Sequence, residues 1–323
     1  MFLESRAMVR LGRSDLDVFP VCLGGNVFGW TADERESFAV LDAYVEAGGN
    51  FIDTSDSYSA FAPGNVGGES ETVIGSWVAA RGNRASVVIA TKVGRKPDRK
   101  GLSRANIRVA VEESLARLQT DYIDLYYAHA DDPDTPLDET LSAFDALITE
   151  GKVRYIAASN YTASRLEQAL ETSDRHGLAR YVALQPHYSL VERDHYEGPL
   201  AEVCERENLA CVPYWALARG FLTGKYRPDG AKVDSPRAGQ AAQYLDDRGI
   251  RVLATLDRVA NAHTTTVPAV ALAWVLAQPS VAAPIASARN PHQLAEILPA
   301  ADLELDPDEL RELSDASAQP ATT

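Results

Sequence analysis

One repeated pattern constrains this chain more than any other feature. A short β-branched apolar run is followed by a few polar residues and then by a stretch with helical spacing. The runs are Val21–Gly24, Asn50–Thr54, Ser86–Lys92, Tyr122–His129, Arg154–Ser159, Tyr181–Gln185, Leu209–Tyr214 and Val281–Ser287. They are continuous rather than alternating, which predicts strands covered on both faces, as in a parallel sheet. The segments between them carry helix punctuation. Arg104–Leu118 puts Ile107, Val111, Leu115 and Leu118 on one face behind Ser103 as N-cap. Thr135-Pro136 opens Leu137–Glu150, which stops at Gly151, and Ser164–His176 stops at Gly177 in the same way.

Eight such units predict an α/β fold, a single (β/α)8 TIM barrel domain over residues 1–323, because no Pro-, Gly- or Ser-rich linker divides the chain. Residues from about 8 to 18, two short runs around Gly12-Arg13-Ser14-Asp15, predict a β-hairpin that closes the barrel floor. Residues 314–323 read as a flexible tail. A doubly wound dinucleotide fold would place G-x-G-x-x-G after its first strand. Here the turn reads Gly24-Gly25-Asn26-Val27-Phe28-Gly29, which has the wrong spacing.

Charge narrows the partners. There are 31 Lys and Arg against 46 Asp and Glu, a net charge of −15. A chain this acidic repels phosphate backbones, so nucleic acid and anionic membrane are not expected partners. The longest apolar run, Val267–Ala277, falls short of the roughly 20 residues of a membrane span. The start, MFLESRAMVR, has no signal-peptide core. Cys22, Cys204 and Cys211 have no C-x-x-C spacing and read as buried small hydrophobes. The expectation is a cytoplasmic protein, a monomer or a small homo-oligomer.

Barrel chemistry sits where strands end and βα loops begin. Those positions hold Asp53 with Tyr58 five residues on, Lys92, His129, Ser159 with Asn160, Gln185, Tyr214, and Ser287 with Arg289. Taken singly, Asp53 is a helix cap, Lys92 a solvated strand end, and His129 a structural histidine. Polar and charged groups that end apolar strands are costly unless they share partners, so one converging site explains them better together. No metal is expected: no H-x-H or H-E-x-x-H occurs, and Asp131-Asp132-Pro133-Asp134 reads as a solvated loop.

At this point the sequence resembles the aldo-keto reductase superfamily along nearly its whole length. The matching pieces are Phe51-Ile52-Asp53-Thr54-Ser55-Asp56-Ser57-Tyr58, Gly68-Glu69-Ser70-Glu71, Thr91-Lys92, Leu125-Tyr126-Tyr127-Ala128-His129 and Ala158-Ser159-Asn160. Leu184-Gln185 and Leu217-Ala218-Arg219-Gly220-Phe221-Leu222-Thr223-Gly224-Lys225 follow in order. The resemblance implies a catalytic tetrad of Asp53, Tyr58, Lys92 and His129, and a nicotinamide dinucleotide bound without a Rossmann motif. In that scheme Tyr58 gives a proton to the carbonyl oxygen, Lys92 lowers the phenol's pKa, Asp53 holds Lys92, and His129 orients the carbonyl.

The same resemblance places Ser159, Asn160 and Gln185 on the carboxamide and Tyr214 against the nicotinamide ring. The loop from Ala216 to Lys225, with Leu217, Arg219, Gly220 and Leu222, would fold over the pyrophosphate, and Gly25, Asn26 and Trp215 are further expected cofactor contacts. Ile285, Ser287 and Arg289 resemble the segment that holds an adenosine 2′-phosphate, which favours NADP(H) over NAD(H), and Gln293 and Glu296 the adenine segment. Two positions depart from the family: Trp215-Ala216 stand where Ser-Pro is common, and Ile297 where Asn is. Phe28, Trp30, Phe61 and Trp215 are the expected lining of a substrate pocket for a small aldehyde, ketone or sugar-like carbonyl. The expected function is NADPH-dependent reduction of that carbonyl to an alcohol. Two alternatives share the same residues: a weakly catalytic, cofactor-binding regulatory subunit, and a dehydrogenase working mainly in the oxidative direction.

Overall fold

A computed structural model describes residues 8–228, 230 and 233–318. Two strands, β1 (Val9–Arg10) and β2 (Asp17–Val18), pair antiparallel in the expected hairpin, with Arg10 opposite Asp17. Leu11, Leu16 and Val18 bury themselves among Phe51, Ala90, Leu125, Tyr127, Ala157 and Ala183, the apolar filling of the barrel interior. Gly12 is required in its turn. Its φ is +55°, and a Cβ there would stand 2.4 Å from the carbonyl oxygen of Val182.

The barrel strands are β3 (Cys22–Gly24), β4 (Phe51–Asp53) and β5 (Val88–Val93). A small hairpin, β6 (Arg95–Lys96) and β7 (Arg99–Lys100), stands at the mouth, followed by β8 (Ile123–Ala128) and β9 (Val153–Ser159). The chain completes the sheet with β10 (Tyr181–Gln185), β11 (Ala210–Cys211) and β12 (Ile285–Ala286). The eight parallel strands run in the order β11-β10-β9-β8-β5-β4-β3-β12. A parallel bridge between Cys211 and Val281 brings the two ends of the sheet together.

The last two runs make shorter strands than their apolar length suggests. Pro213 and Pro284 stand inside them, and proline has no N–H to give to a ladder. Ser86 belongs to a 3-10 turn, Arg84–Ser86, ahead of β5.

Helices pack around the sheet. Arg104–Leu118 begins at Ser103, whose side chain accepts from the Asn106 amide, and Ile107, Val111, Leu115 and Leu118 are buried as one face. Leu137–Thr149 ends in front of Gly151, and Ala163–His176 ends at Gly177, φ +64°. Val267–Leu276 is a buried helix, not a span; among the described residues no single helix is long and apolar enough to cross a membrane. The tail expected from Ser314 is helical over its first residues. Ser314–Ser317 complete the helix Pro307–Ser317, Leu313 is buried, and Ser314 accepts from the Trp274 indole at 3.0 Å. Residues 319–323 lie outside the described residues. All three cysteines are buried and free.

Candidate active site

Asp53 ends β4, Lys92 lies near the end of β5, and His129 follows β8, so parallel pairing brings them to one mouth. Tyr58 reaches the same point from the loop after β4. The Lys92 ammonium donates to both Asp53 oxygens at 2.7 Å and to the Thr54 carbonyl at 2.7 Å, and it lies 3.0 Å from the Tyr58 hydroxyl. Tyr58 donates to Asp53 Oδ2 at 3.0 Å. Gln185 adds a fourth contact, donating from Nε2 to Asp53 Oδ1 at 2.9 Å.

Burial and then the Asp53 carboxylate hold the Tyr58 phenol well above its ordinary value. The ammonium's charge is already engaged by Asp53, so the phenol faces a neutralised pair in a dry environment. Burial in turn lowers the Lys92 ammonium, against the pull of Asp53. Burial, Lys92 and Arg95 keep the His129 imidazole neutral, far below its usual range. Its Nδ1 lies 3.1 Å from Ser55 Oγ.

A polar chain continues along the strand ends. Ser159 donates to the Gln185 carbonyl at 2.8 Å, and Asn160 Nδ2 donates to the His129 carbonyl and to Ser159 Oγ, both at 2.9 Å. Tyr214 donates to Asn160 Oδ1 at 2.8 Å. Behind Tyr214, His187 stacks on its ring at 5.4 Å and on His195 at 5.0 Å. Donor atoms of His187, Glu192 and His195 lie within 4.8 Å of one another, and the two imidazole rings stack at an interplanar angle of 22°. In the acidic loop, Asp131 pairs with Arg165 and Asp132 accepts from the Leu102 amide and Thr135, so the loop is fixed rather than merely solvated.

These groups open on a cleft of about 590 Å³. Asn26, Ser159, Asn160, Gln185, Tyr214, Trp215, Leu217, Arg219, Gly220, Lys225, Ile285, Ser287, Arg289, Gln293 and Glu296 line it together with Tyr58 and His129. Ala216 and Leu222 are fully buried outside its lining. Gly25 also stands outside it, its amide donating to the Asp53 carbonyl at 2.7 Å. Ser287 donates to Asn26 Oδ1 at 2.6 Å, and Gln293 Oε1 accepts from the Arg289 amide at 3.0 Å.

Phe28 is a correction: it is fully buried in the core, while its carbonyl accepts from Ser59. Trp30 and Phe61 do reach the cleft, edge to face at 4.7 Å, and Trp215 joins its wall. Two arginines enter that no motif singled out. Arg95, three residues past Lys92, was findable by extending the strand-end reading a little further. Arg237 lies over the Trp30 ring at 5.3 Å; its long connecting segment carries no periodic signal.

A dinucleotide fits this donor set. Arg219, Lys225 and Arg289 face one cleft without a carboxylate ion pair among the described residues, although the chain has acids in excess. Arg219 stacks on Trp215 at 3.8 Å, and its Nε is buried without a hydrogen bond. Three like charges gathered in one cleft repel one another, and an extended anion would relieve them.

A parallel barrel with a phenol, an ammonium, a carboxylate and an imidazole at one mouth, beside a cation-lined cleft, defines a class of barrel oxidoreductases. The chain belongs to the aldo/keto reductase family, whose sequence profile matches residues 20–318. Members of that family use nicotinamide cofactors. It is 34% identical to "Protein tas" of Escherichia coli K12, over 94% of this chain and 95% of that protein. It is 35% identical to "Uncharacterized oxidoreductase YrpG" of Bacillus subtilis 168, over 94% of each. "Norsolorinic acid reductase" of Aspergillus flavus is 32% identical over 93% of this chain and 78% of its own.

Proposed function

We propose that the protein is an NADPH-dependent reductase that converts an aldehyde or ketone to an alcohol, with Tyr58 as proton donor. One observation carries this reading: the Tyr58 hydroxyl is held at 3.0 Å from both Asp53 and Lys92 and faces the cleft. When bound, the reduced nicotinamide supplies hydride to the carbonyl carbon. The rest falls to the chain's own residues.

Burial and Asp53 keep the phenol protonated at neutral pH. An alkoxide is a far stronger base than a phenolate, so transfer of the Tyr58 proton to the new alkoxide oxygen runs downhill even from a raised pKa. The Tyr58 O–H bond breaks as the alcohol O–H bond forms, and the remaining negative charge sits beside the Lys92 ammonium, which stabilises it. Neutral His129, its Nδ1 3.1 Å from Ser55 Oγ, lines the cleft beside Tyr58 and would orient the carbonyl through a ring N–H. Ser159, Asn160, Gln185 and Tyr214 would hold the nicotinamide end, Arg219 and Lys225 the pyrophosphate, and Ser287 and Arg289 the 2′-phosphate. The name of the Aspergillus relative supports the reductive direction, and the Trp30, Phe61 and Trp215 wall supports an aromatic substrate.

Following NADPH and NADH consumption with aromatic and aliphatic carbonyls tests this. Turnover with NADPH is expected. Tight NADPH binding without turnover of any carbonyl would favour a regulatory role, and turnover only of alcohols with NADP would reverse the direction.

A further inference from the structure

The cleft holds two arginines, Arg95 and Arg237, that neither the tetrad nor the dinucleotide's phosphates account for, and Arg237 already lies over the Trp30 ring. Arg95 opens the β6–β7 hairpin three residues past Lys92 and lines the cleft. In the same hairpin Lys96 pairs with Asp98 at 3.2 Å and Arg99 with Glu113 at 2.7 Å. On neighbouring strands and helices Arg84 closes on Asp124 and Arg117 on Glu71. The Arg95 side chain makes no ion pair or hydrogen bond with any described residue. Its charge bears on His129 and on Tyr214, the two rings that flank the reacting centre. By contrast, Lys225 and Arg289 bear on each other at the Ser287 end. In a chain of net charge −15, an exposed guanidinium at the catalytic mouth with no acid partner among the described residues suits an anion that arrives with the substrate.

We propose that the carbonyl substrate carries a carboxylate on an aromatic ring, and that Arg95 is the residue that selects it. This rests on the reductase reading, because it names the substrate class of the same site. Trp30 and Phe61, edge to face, give the ring an apolar wall, while Tyr58 and His129 take the carbonyl oxygen. The planar fork of Arg95 then meets the carboxylate with two parallel N–H donors, a geometry a lysine would not reproduce.

The experiment has two arms, both on the NADPH-loaded protein. The first compares kcat/KM for para-carboxybenzaldehyde and for its methyl ester. The acid should be favoured about 10- to 100-fold, the range a charge-assisted contact supplies. Added NaCl should erode that preference, and Arg95→Met should bring the ratio close to one, with Arg95→Lys only partly restoring it. The second arm needs no turnover: benzoate should bind the parent holoenzyme more tightly than benzamide, and Arg95→Met should remove the difference.

Equal treatment of acid and ester in the parent, or a preference that survives Arg95→Met, overturns the proposal. So does a preference lost in Arg237→Met but kept in Arg95→Met, or a loss of NADPH affinity in Arg95→Met, which would place Arg95 on the cofactor. If neither aldehyde turns over yet benzoate discrimination depends on Arg95, the anion site stands and the reductase reading falls.

Discussion

The Lys92 ammonium lies 2.7 Å from both carboxylate oxygens of Asp53, and neither side chain is more than 1% exposed. Taking both charges out of water is expensive, and the pair is held by further contacts from Thr54, Tyr58 and Gln185. The unit that supports catalysis is therefore also a structural unit.

That coupling gives the first prediction. Lys92→Met should abolish most activity and also lower stability by about 3–5 kcal/mol, because it strands a buried carboxylate. Combining it with Asp53→Asn should recover much of the stability and none of the activity. Denaturant unfolding of the parent, both single variants and the double variant reads this directly. A single variant as stable as the parent would mean that Asp53 does not carry a buried charge.

Tyr58→Phe isolates the proton. It removes one hydroxyl from a site where Lys92 and Asp53 keep each other, so NADPH affinity should hold within a few-fold. Turnover should fall by about 10² or more, the upper part of what general acid catalysis supplies. Single-turnover kinetics that show an unchanged chemical step would remove Tyr58 from the role.

Much of this was legible in the sequence because strand-end residues are fixed by topology. Once eight apolar runs are placed in a barrel, Asp53, Lys92 and His129 must share a mouth. The helix over Arg104–Leu118 was readable to the residue because its cap and its apolar face agree. Phe28 misled, since a loop aromatic beside a strand end can turn inward, and only packing decides which way. The pairing of Asp53 with Lys92 was anticipated, but sequence does not show that burial dominates the phenol's electrostatics. Arg237 could not be found at all, because a long irregular connection carries neither period nor cap.

Asp56 provides a pH-dependent test. Its carboxyl is buried, with Oδ2 lacking a hydrogen-bond partner. Burial, then Glu71, push its pKa up to about 7, while Arg117, Ser55 and Arg99 pull the other way. The folded state thus keeps a proton that the unfolded chain releases near 3.8. This contribution is fully present at low pH, is lost as pH rises from about 4 to about 7, and stays lost above that. Asp56→Asn should therefore stabilise the protein more at about pH 8 than at about pH 5, by no more than about 3 kcal/mol. Unfolding midpoints with the same pH response in parent and variant would show that Asp56 titrates normally.

The last prediction concerns the cofactor's far end. Arg289 lines the cleft beside Ser287 and Gln293, and the acid nearest in sequence, Glu296, faces His292 at 3.8 Å instead. A guanidinium left free in this way suits the 2′-phosphate of NADPH, which NADH lacks. Arg289→Ala should then weaken NADPH about 10- to 100-fold, the equivalent of a charge-assisted contact of roughly 1.5–3 kcal/mol. NADH should barely respond. Ser287 limits the loss, because its hydroxyl stays in place, held by Asn26 at 2.6 Å. Salt should weaken NADPH more than NADH in the parent and equalise the two in the variant. Fluorescence or calorimetric titration of both cofactors against both proteins measures all of this. An equal loss for the two cofactors would assign Arg289 to the adenine or the fold, and NADH binding more tightly than NADPH in the parent would overturn the NADP preference itself.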